Sequence, residues 1–252
     1  MGIKLHRHWF GSIGFSVMFL CTLIACSGGG GGSCDDRVSG IFIDSPVEGL
    51  SYETSQHKVV GITNSEGRFL YYPGESINFY IGDLWLGEAP AKKHMNPLDL
   101  FPQAKNERDQ RVTNMCRLLQ SLDEDGDPEN GIYLSEQICN EVSGRPIDFG
   151  LSVEEFENDP DVQALFVSLN ETGVFMAGDA ELPETRSLRT AEEAQAHLLN
   201  SLDDYIDADD DGFTVSEGDC DDSNPDASPV GGEICGDGVD QDCDGKDAIC
   251  EG

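Results

Sequence analysis

Basic residues are scarce in this chain: its 252 residues hold 15 Lys and Arg against 49 Asp and Glu, a formal net charge of −34. Such a surface repels phosphate backbones and anionic lipid headgroups, which excludes nucleic acid as a partner. Apolar runs are scarce too. After Trp9 to Ile24, no stretch approaches the roughly twenty residues that a membrane helix needs. Catalytic signatures are missing: there is no Gly-x-Ser-x-Gly, no His-Glu-x-x-His and no glycine loop of the kind that cradles phosphate. Beyond the N-terminal stretch, His57, His94 and His197 are isolated, and His197 falls inside a predicted helix as a flank or core residue. Acids are so numerous that no pair is marked out for glycosidic chemistry. These absences predict a chain that is not an enzyme.

What the chain has in excess lies at its end. Asp203 to Gly252 contains 18 carboxylates, one lysine and four cysteines, with acids spaced as Asp207-x-Asp209-x-Asp211-Gly212 and Asp240-x-Asp242-x-Asp244-Gly245. No apolar core can be built from this composition, and carboxylates so dense repel one another unless a hard cation shares their oxygens. Alternate oxygen ligands followed by a glycine form the front half of an EF-hand-type calcium loop, with Phe213 placed to offer its carbonyl. The back half departs, because Gly218 stands where an EF-hand needs a bidentate glutamate, although Glu217 and Asp219 flank it. The expected structure is a cation-folded, disulfide-pinned module that is not a true EF-hand. Its ligands are expected among Asp207, Asp209, Asp211, Phe213, Glu217 and Asp219 and, in the second run, Asp240, Asp242 and Asp244. The segment has no histidine and no methionine, and its sulfurs are expected in disulfides, so hard oxygens remain and favour calcium over copper.

The string Asp207-x-Asp-x-Asp-Gly-Phe213, Gly218-Asp-Cys220-Asp-Asp222, Asn224-Pro225, Glu233-x-Cys235 and Asp240-x-Asp-Cys243-Asp-Gly245 resembles a short bacterial metal-binding motif, the MopE-type copper-binding repeat. The resemblance implies metal binding, with copper in the label. Two features depart from the pattern: Pro229-Val230-Gly231-Gly232 replaces the usual Pro-Gly-Ala, and one copy is present where such motifs come in tandem.

Lys4 and Arg7 precede the apolar stretch, which closes with Leu23-Ile24-Ala25-Cys26, giving a positive start, a short apolar core and a small residue before the cleavage point. This resembles the lipobox of a bacterial lipoprotein signal. The resemblance implies that residues 1–25 are removed, that Cys26 is the lipidation site and carries palmitate-type acyl chains, and that Ser27 in the next position favours the outer membrane. Residues 26–37 then form the lipidated cysteine and its tether, where Ser27 to Ser33 contributes reach without structure. Two or three acyl chains hold a protein on a membrane permanently. The expected setting is the cell envelope, with the membrane as one partner and a protein or cell-surface partner as another. Loss of Lys4 and Arg7 takes the net charge from −34 to −36. With Cys21 removed and Cys26 lipidated, seven of nine cysteines remain. Cys220, Cys235, Cys243 and Cys250 are expected to pair within the acidic module by any of three connectivities, and Cys116 with Cys139 across the middle region, leaving Cys34 over.

Between tether and module the pattern is first β and then helical. Ile41 to Ile43, Val59 to Thr63, Phe69 to Tyr72, Ile77 to Ile81 and Leu84 to Leu86 read as strands, separated by turns at Asn64-Ser65-Glu66-Gly67 and Pro73-Gly74-Glu75. The string Gly61-Ile-Thr-Asn-Ser-Glu-Gly67-Arg-Phe69 resembles the hairpin of carboxypeptidase-regulatory-like or transthyretin-like modules, implying a spacer or binding scaffold. Further on, Val112, Met115, Leu119 and Leu122 share a helical face, Ser152-x-x-Glu155 and Thr190-x-x-Glu193 are capping boxes, and Asp159-Pro160 opens a helix. Asp123, Asp125 and Asp127, around Gly126 and before Asn130-Gly131, are candidate ligands of a second calcium loop. The order of these features, with Pro97-Leu98-Asp99-Leu100, resembles uncharacterised bacterial lipoproteins, some labelled organic-solvent transporter permeases. A permease needs membrane spans, so that activity is not carried over.

The fold class is therefore a multidomain α+β chain: a small antiparallel β-sandwich over 38–92, a short-helix region over 93–202 with its acidic loop at 123–131, and an irregular metal- and disulfide-ordered module over 203–252. The function expected is that of a non-enzymatic lipoprotein binding calcium-type cations for structural ordering, adhesion or assembly. The alternative is an envelope hydrolase or accessory enzyme, which would require His94 or His197 to be grouped with a carboxylate and a nucleophile.

Overall fold

The computed structural model describes residues 36–175, 185–206, 208–209 and 211–250. The signal and most of the tether, with Lys4, Arg7, Cys21, Cys26 and Cys34, lie outside the described residues, as does Asp207.

The β part forms where alternation was legible and also where it was not. Strand β1 (Val38–Phe42) is followed by β2 (Val47–Glu48), β3 (Ser51–Thr54), β4 (Val60–Ile62), β5 (Arg68–Tyr71), β6 (Ser76–Ile81), β7 (Leu84–Pro90) and β8 (His94–Met95). An antiparallel sheet runs in the order β4-β3-β6-β7, and a second runs β5-β1-β8 with β1 and β8 parallel. In β6, Ile77, Phe79 and Ile81 are buried while Ser76, Asn78 and Tyr80 are half-buried, which is the period of two that a one-sided strand requires. The inner faces of the two sheets meet through tilted or edge-on rings, Phe42 to Phe79 at 4.7 Å, Phe69 to Phe79 at 5.3 Å and Tyr52 to Phe69 at 6.1 Å between centroids.

Helices α1 (Gln110–Ser121), α2 (Glu136–Val142), α3 (Val153–Glu157), α4 (Pro160–Thr172) and α5 (Ala191–Asp203) start where their caps are encoded. Ser152 and Glu155 bond reciprocally at α3, as do Thr190 and Glu193 at α5, and Asp159 accepts the amides of Asp161 and Val162 at α4. A short strand β9 (Ile132–Tyr133) pairs in parallel with β2 and fastens the acidic loop to the β layer. None of these helices is long and apolar enough to cross a membrane. One core joins the sheets and the helices: Phe42, Ile77 and Phe79 belong to the same buried cluster as Met115, Leu118, Leu119, Leu165 and Leu169.

The expected face of α1, Val112, Met115, Leu119 and Leu122, is buried. So are polar residues on its other sides. Asn114 Nδ2 donates to the carbonyls of Phe149 and Leu151 at 3.1 and 2.9 Å. Arg117 donates to the carbonyls of Arg189 and Val153 at 2.6 and 3.1 Å, and to Glu157 Oε2 at 3.1 Å. Gln120 donates to Asp44 Oδ1 and the Ala194 carbonyl at 2.9 and 3.1 Å.

The expected bridge between Cys116 and Cys139 is absent, and both are thiols. Cys116 packs with Ala194 and Leu198 of α5, whereas Cys139 on α2 turns its sulfur toward the carbonyls of Gly49 and Leu134, at 3.7 and 3.8 Å. The apolar environment that recommended each cysteine for a bridge belongs to two different contacts.

Because Arg117 is buried and bonds two separate segments, α3 and the stretch before α5, Arg117→Met should lower the unfolding free energy by about 2–4 kcal/mol through orphaned carbonyls. Urea denaturation of the mature chain checks this; a loss below about 0.5 kcal/mol, the usual range for surface changes, would show that the segments hold without it.

Candidate metal centre

The terminal module is pinned first by covalent geometry. Of the three connectivities open to its cysteines, the structure has Cys220 with Cys243 and Cys235 with Cys250, at Cα separations of 5.6 and 5.0 Å. Bridges closing loops of 23 and 15 residues each remove about 3 kcal/mol of chain entropy from the unfolded state, a large share for a segment with little apolar surface.

Within that frame the carboxylates form a series of Asx turns. Asp209 Oδ1 accepts the Asp211 amide at 3.1 Å, Asp211 Oδ1 the Phe213 amide at 2.9 Å, and Asp219 Oδ1 the Asp221 amide at 2.8 Å. Gly212, at φ +99°, provides the left-handed turn expected between them. Asp222 Oδ1 takes the amide of Ala208 at 3.0 Å and ties the end of the run back to its start. Oxygens of Asp209, Asp219 and Asp222 come within 4.8 Å of one another. Asp219 is only 4% exposed, yet its Oδ2 is buried with no hydrogen-bond donor, and Asp211 Oδ2 is in the same condition. A buried carboxylate oxygen without a donor is costly, and a hard cation is the group that would satisfy several at once. The donor set fits such an ion.

A second group joins Glu233, Asp240 and Asp242, also within 4.8 Å. It differs in kind. Glu233 accepts the amides of Gln241, Asp242 and Ala248 at 2.6, 3.1 and 2.7 Å, and Asp240 those of Asp244 and Gly245 at 3.1 and 2.8 Å. These acids already organise backbone. Asp219 also lies near Cys220 and Cys243, but sulfurs joined in a disulfide offer no thiolate to a metal.

Several expected ligands are therefore placed differently. Glu217 leaves the cluster and pairs with Lys93 of the β part, because the 3-10 turn Val215–Glu217 directs it outward. Asp244 contributes its amide, to Asp240 and Asp242, and is outside the second group. Phe213 is bonded through its amide to Asp211. Asp222 and Glu233 were not expected as ligands. Their signal was present in the motif, in Asp221-Asp222 and in Glu233 two residues before Cys235, but alternation with glycine does not mark them.

In the loop at 123–131, Asp123, Asp125 and Asp127 do not form a group with oxygens within 4.8 Å of one another. Asp123 Oδ1 accepts the Tyr133 amide at 2.9 Å, and Asp125 accepts from the Asp127 amide and from Asn130 Nδ2 at 2.9 and 3.1 Å. An internal cation is already there. Arg186 donates to the Asp123 carbonyl, lies over the Phe175 ring at 4.7 Å and packs so close to Gly126 that a Cβ would come within 2.5 Å of its guanidinium.

Residues 219–248 match a family model described as "Putative metal-binding motif", whose label names MopE and copper binding. No curated protein and no solved structure matches the chain.

Asp123 carries a pH signature. Burial pushes its carboxyl up to about 7, with the Tyr133 amide and Arg186 pulling down and Asp125 adding to the rise. An acid whose pKa is higher folded than unfolded stabilises the fold while neutral, so this contribution is complete below its ordinary 3.8 and lost as pH climbs through about 7. Asp123→Asn keeps an acceptor for Tyr133 and removes the charge. The variant should gain melting temperature relative to the parent between about pH 5 and pH 8; a difference that stays flat across that range would show Asp123 to be ionised throughout.

Proposed function

We propose that the chain is an outer-membrane lipoprotein of the cell envelope, held by acylated Cys26, whose C-terminal module is ordered by calcium and presented for adhesion or assembly. The observation that supports the cation most directly is Asp219, a carboxylate sealed from solvent with one oxygen unpartnered and facing the acids of Asp209 and Asp222. Asp211 lies next to them in the same run.

The ion is calcium by its donors. The described cluster offers carboxylate oxygens only, both sulfur pairs are in disulfides, and residues 203–252 contain no histidine or methionine to hold copper. Extracellular oxygen sites of this charge bind calcium at about 10⁻⁴ to 10⁻³ M, which suits an ion that stays in place outside the cell. The anchor rests on Leu23-Ile24-Ala25-Cys26 after the apolar stretch.

Calorimetry on the mature chain tests the ion. Calcium should bind in the range above, and Asp219→Asn or Asp222→Asn should weaken it at least about tenfold, each removing one carboxylate ligand. Tight copper binding with no calcium response would overturn the assignment. For the anchor, Cys26→Ala should abolish acylation in the mass spectrum of the membrane-extracted protein; acyl chains retained in that variant would place the modification elsewhere.

A further inference from the structure

We propose that Ser45, His197 and Glu129 form a nucleophile relay that hydrolyses carboxylic esters with small acyl groups, an activity independent of the cation module. His197, on α5, is buried with polar partners at both ring nitrogens. Its Nδ1 lies 2.9 Å from Glu129 Oε1 and its Nε2 lies 3.3 Å from Ser45 Oγ. With Nδ1 protonated against that carboxylate, a deprotonated Nε2 presents its lone pair to the hydroxyl, the tautomer that a general base needs. A nucleophile within reach of a base that is itself oriented by a third group is the arrangement by which such sites are recognised, and the first distance is commonly loose before substrate arrives.

The backbone adds an independent observation. Ser45 stands at φ +54°, a left-handed conformation that a serine adopts at a cost, and strain of this kind concentrates at functional sites. Pro46, its neighbour, lines a cleft of about 160 Å³ together with Ser65, Tyr133 and the two residues that follow Glu129, Asn130 and Gly131. A space of that size is comparable to the cavity of about 150 Å³ that holds a benzene ring. Ser45 itself is 8% exposed and sits beside that lining rather than in it, which limits what could reach it to a compact acyl group.

The buried surroundings suit the charge that the reaction creates. Asp44, fully buried and held by Gln120, has Oδ1 4.0 Å from His197 Nε2, and its carbonyl oxygen is 3.2 Å from the same nitrogen. Both would stabilise an imidazolium. Ser201 Oγ, 3.3 Å from Nε2 and 3.4 Å from Ser45 Oγ, is the rival hydroxyl. It projects from the regular backbone of α5 and lacks the strained conformation of Ser45.

In the first half-reaction Ser45 Oγ bonds to the acyl carbon as Nε2 takes the hydroxyl proton. The ester's carbon–oxygen bond then breaks, and the departing alcohol receives that proton. Water, deprotonated by Nε2, attacks the acyl-serine, releases the acid and restores Ser45. Glu129 acts as a positioning residue throughout.

The full-length protein, extracted from membranes in detergent, is tested with a fluorophosphonate probe and with p-nitrophenyl acetate. Peptide mapping should place the phosphonyl adduct on Ser45. His197→Asn should lower ester turnover at least about a hundredfold, Ser201→Ala should retain both adduct and turnover, and Glu129→Gln should lower kcat and displace the acidic limb of its pH profile. An adduct on Ser201, no adduct on Ser45 in protein with both disulfides formed, or turnover indifferent to His197→Asn would each overturn the proposal. The wild-type mapping needs no variant, so a folding defect in one of them leaves the proposal open to refutation.

Discussion

The fold depends on α1 placing polar side chains in its core. Long stretches of this chain follow no regular secondary structure, and their carbonyls have no ladder to join. Asn114 and Arg117 supply the missing donors to the carbonyls of Phe149, Leu151 and Arg189, 35 to 72 residues away in sequence. A buried backbone carbonyl must find a donor or lose about as much as a hydrogen bond contributes. One helix therefore meets the needs of several loops, and its amphipathic pattern is overlaid by a second, polar function that burial alone would not suggest.

That overlay explains what the sequence made legible and what it did not. Strands with alternating large apolar residues, such as Ile77, Phe79 and Ile81, announced themselves, and so did the capping boxes at Ser152 and Thr190, because both signals are local. Strand β3 did not. Its Ser51-Tyr52-Glu53-Thr54 is a polar string that becomes a central strand because both β4 and β6 pair with it. The two free cysteines misled for the opposite reason: an apolar setting says a thiol is buried, and not which neighbour it faces. In the acidic module the presence of a cation-suited cluster was legible from composition, while its membership was decided by turns. Glu217 was carried outward by a 3-10 turn, and Asp222 was brought in by its bond to Ala208. Ligand identity is a tertiary property even where ligand chemistry is a sequence property.

The module also shows how a segment without a hydrophobic core keeps a shape. Gln241 is buried and bonded on every side: it takes the Ile234 amide, donates to Asp237, and its carbonyl receives the Ser228 amide. Gly231 lies against that carbonyl, where a Cβ would come within 1.9 Å. The departure from the expected Pro-Gly-Ala therefore occurs at a point of close backbone contact, where glycine is the residue that fits.

The excess of acids is distributed with respect to helix polarity. Glu136, Glu154 and Glu155, Asp161, and Glu192 and Glu193 all occupy first turns, where exposed amides welcome negative charge, and none of α2 to α5 has a basic residue in its last turn. At α5 this leaves a helix whose negative end runs through Asp203 and Asp204 into the acidic module. Like meets like at that junction. Dissolved ions shorten the reach of such repulsion, so this end of the helix grows firmer as ionic strength rises, the reverse of a surface knitted by salt bridges.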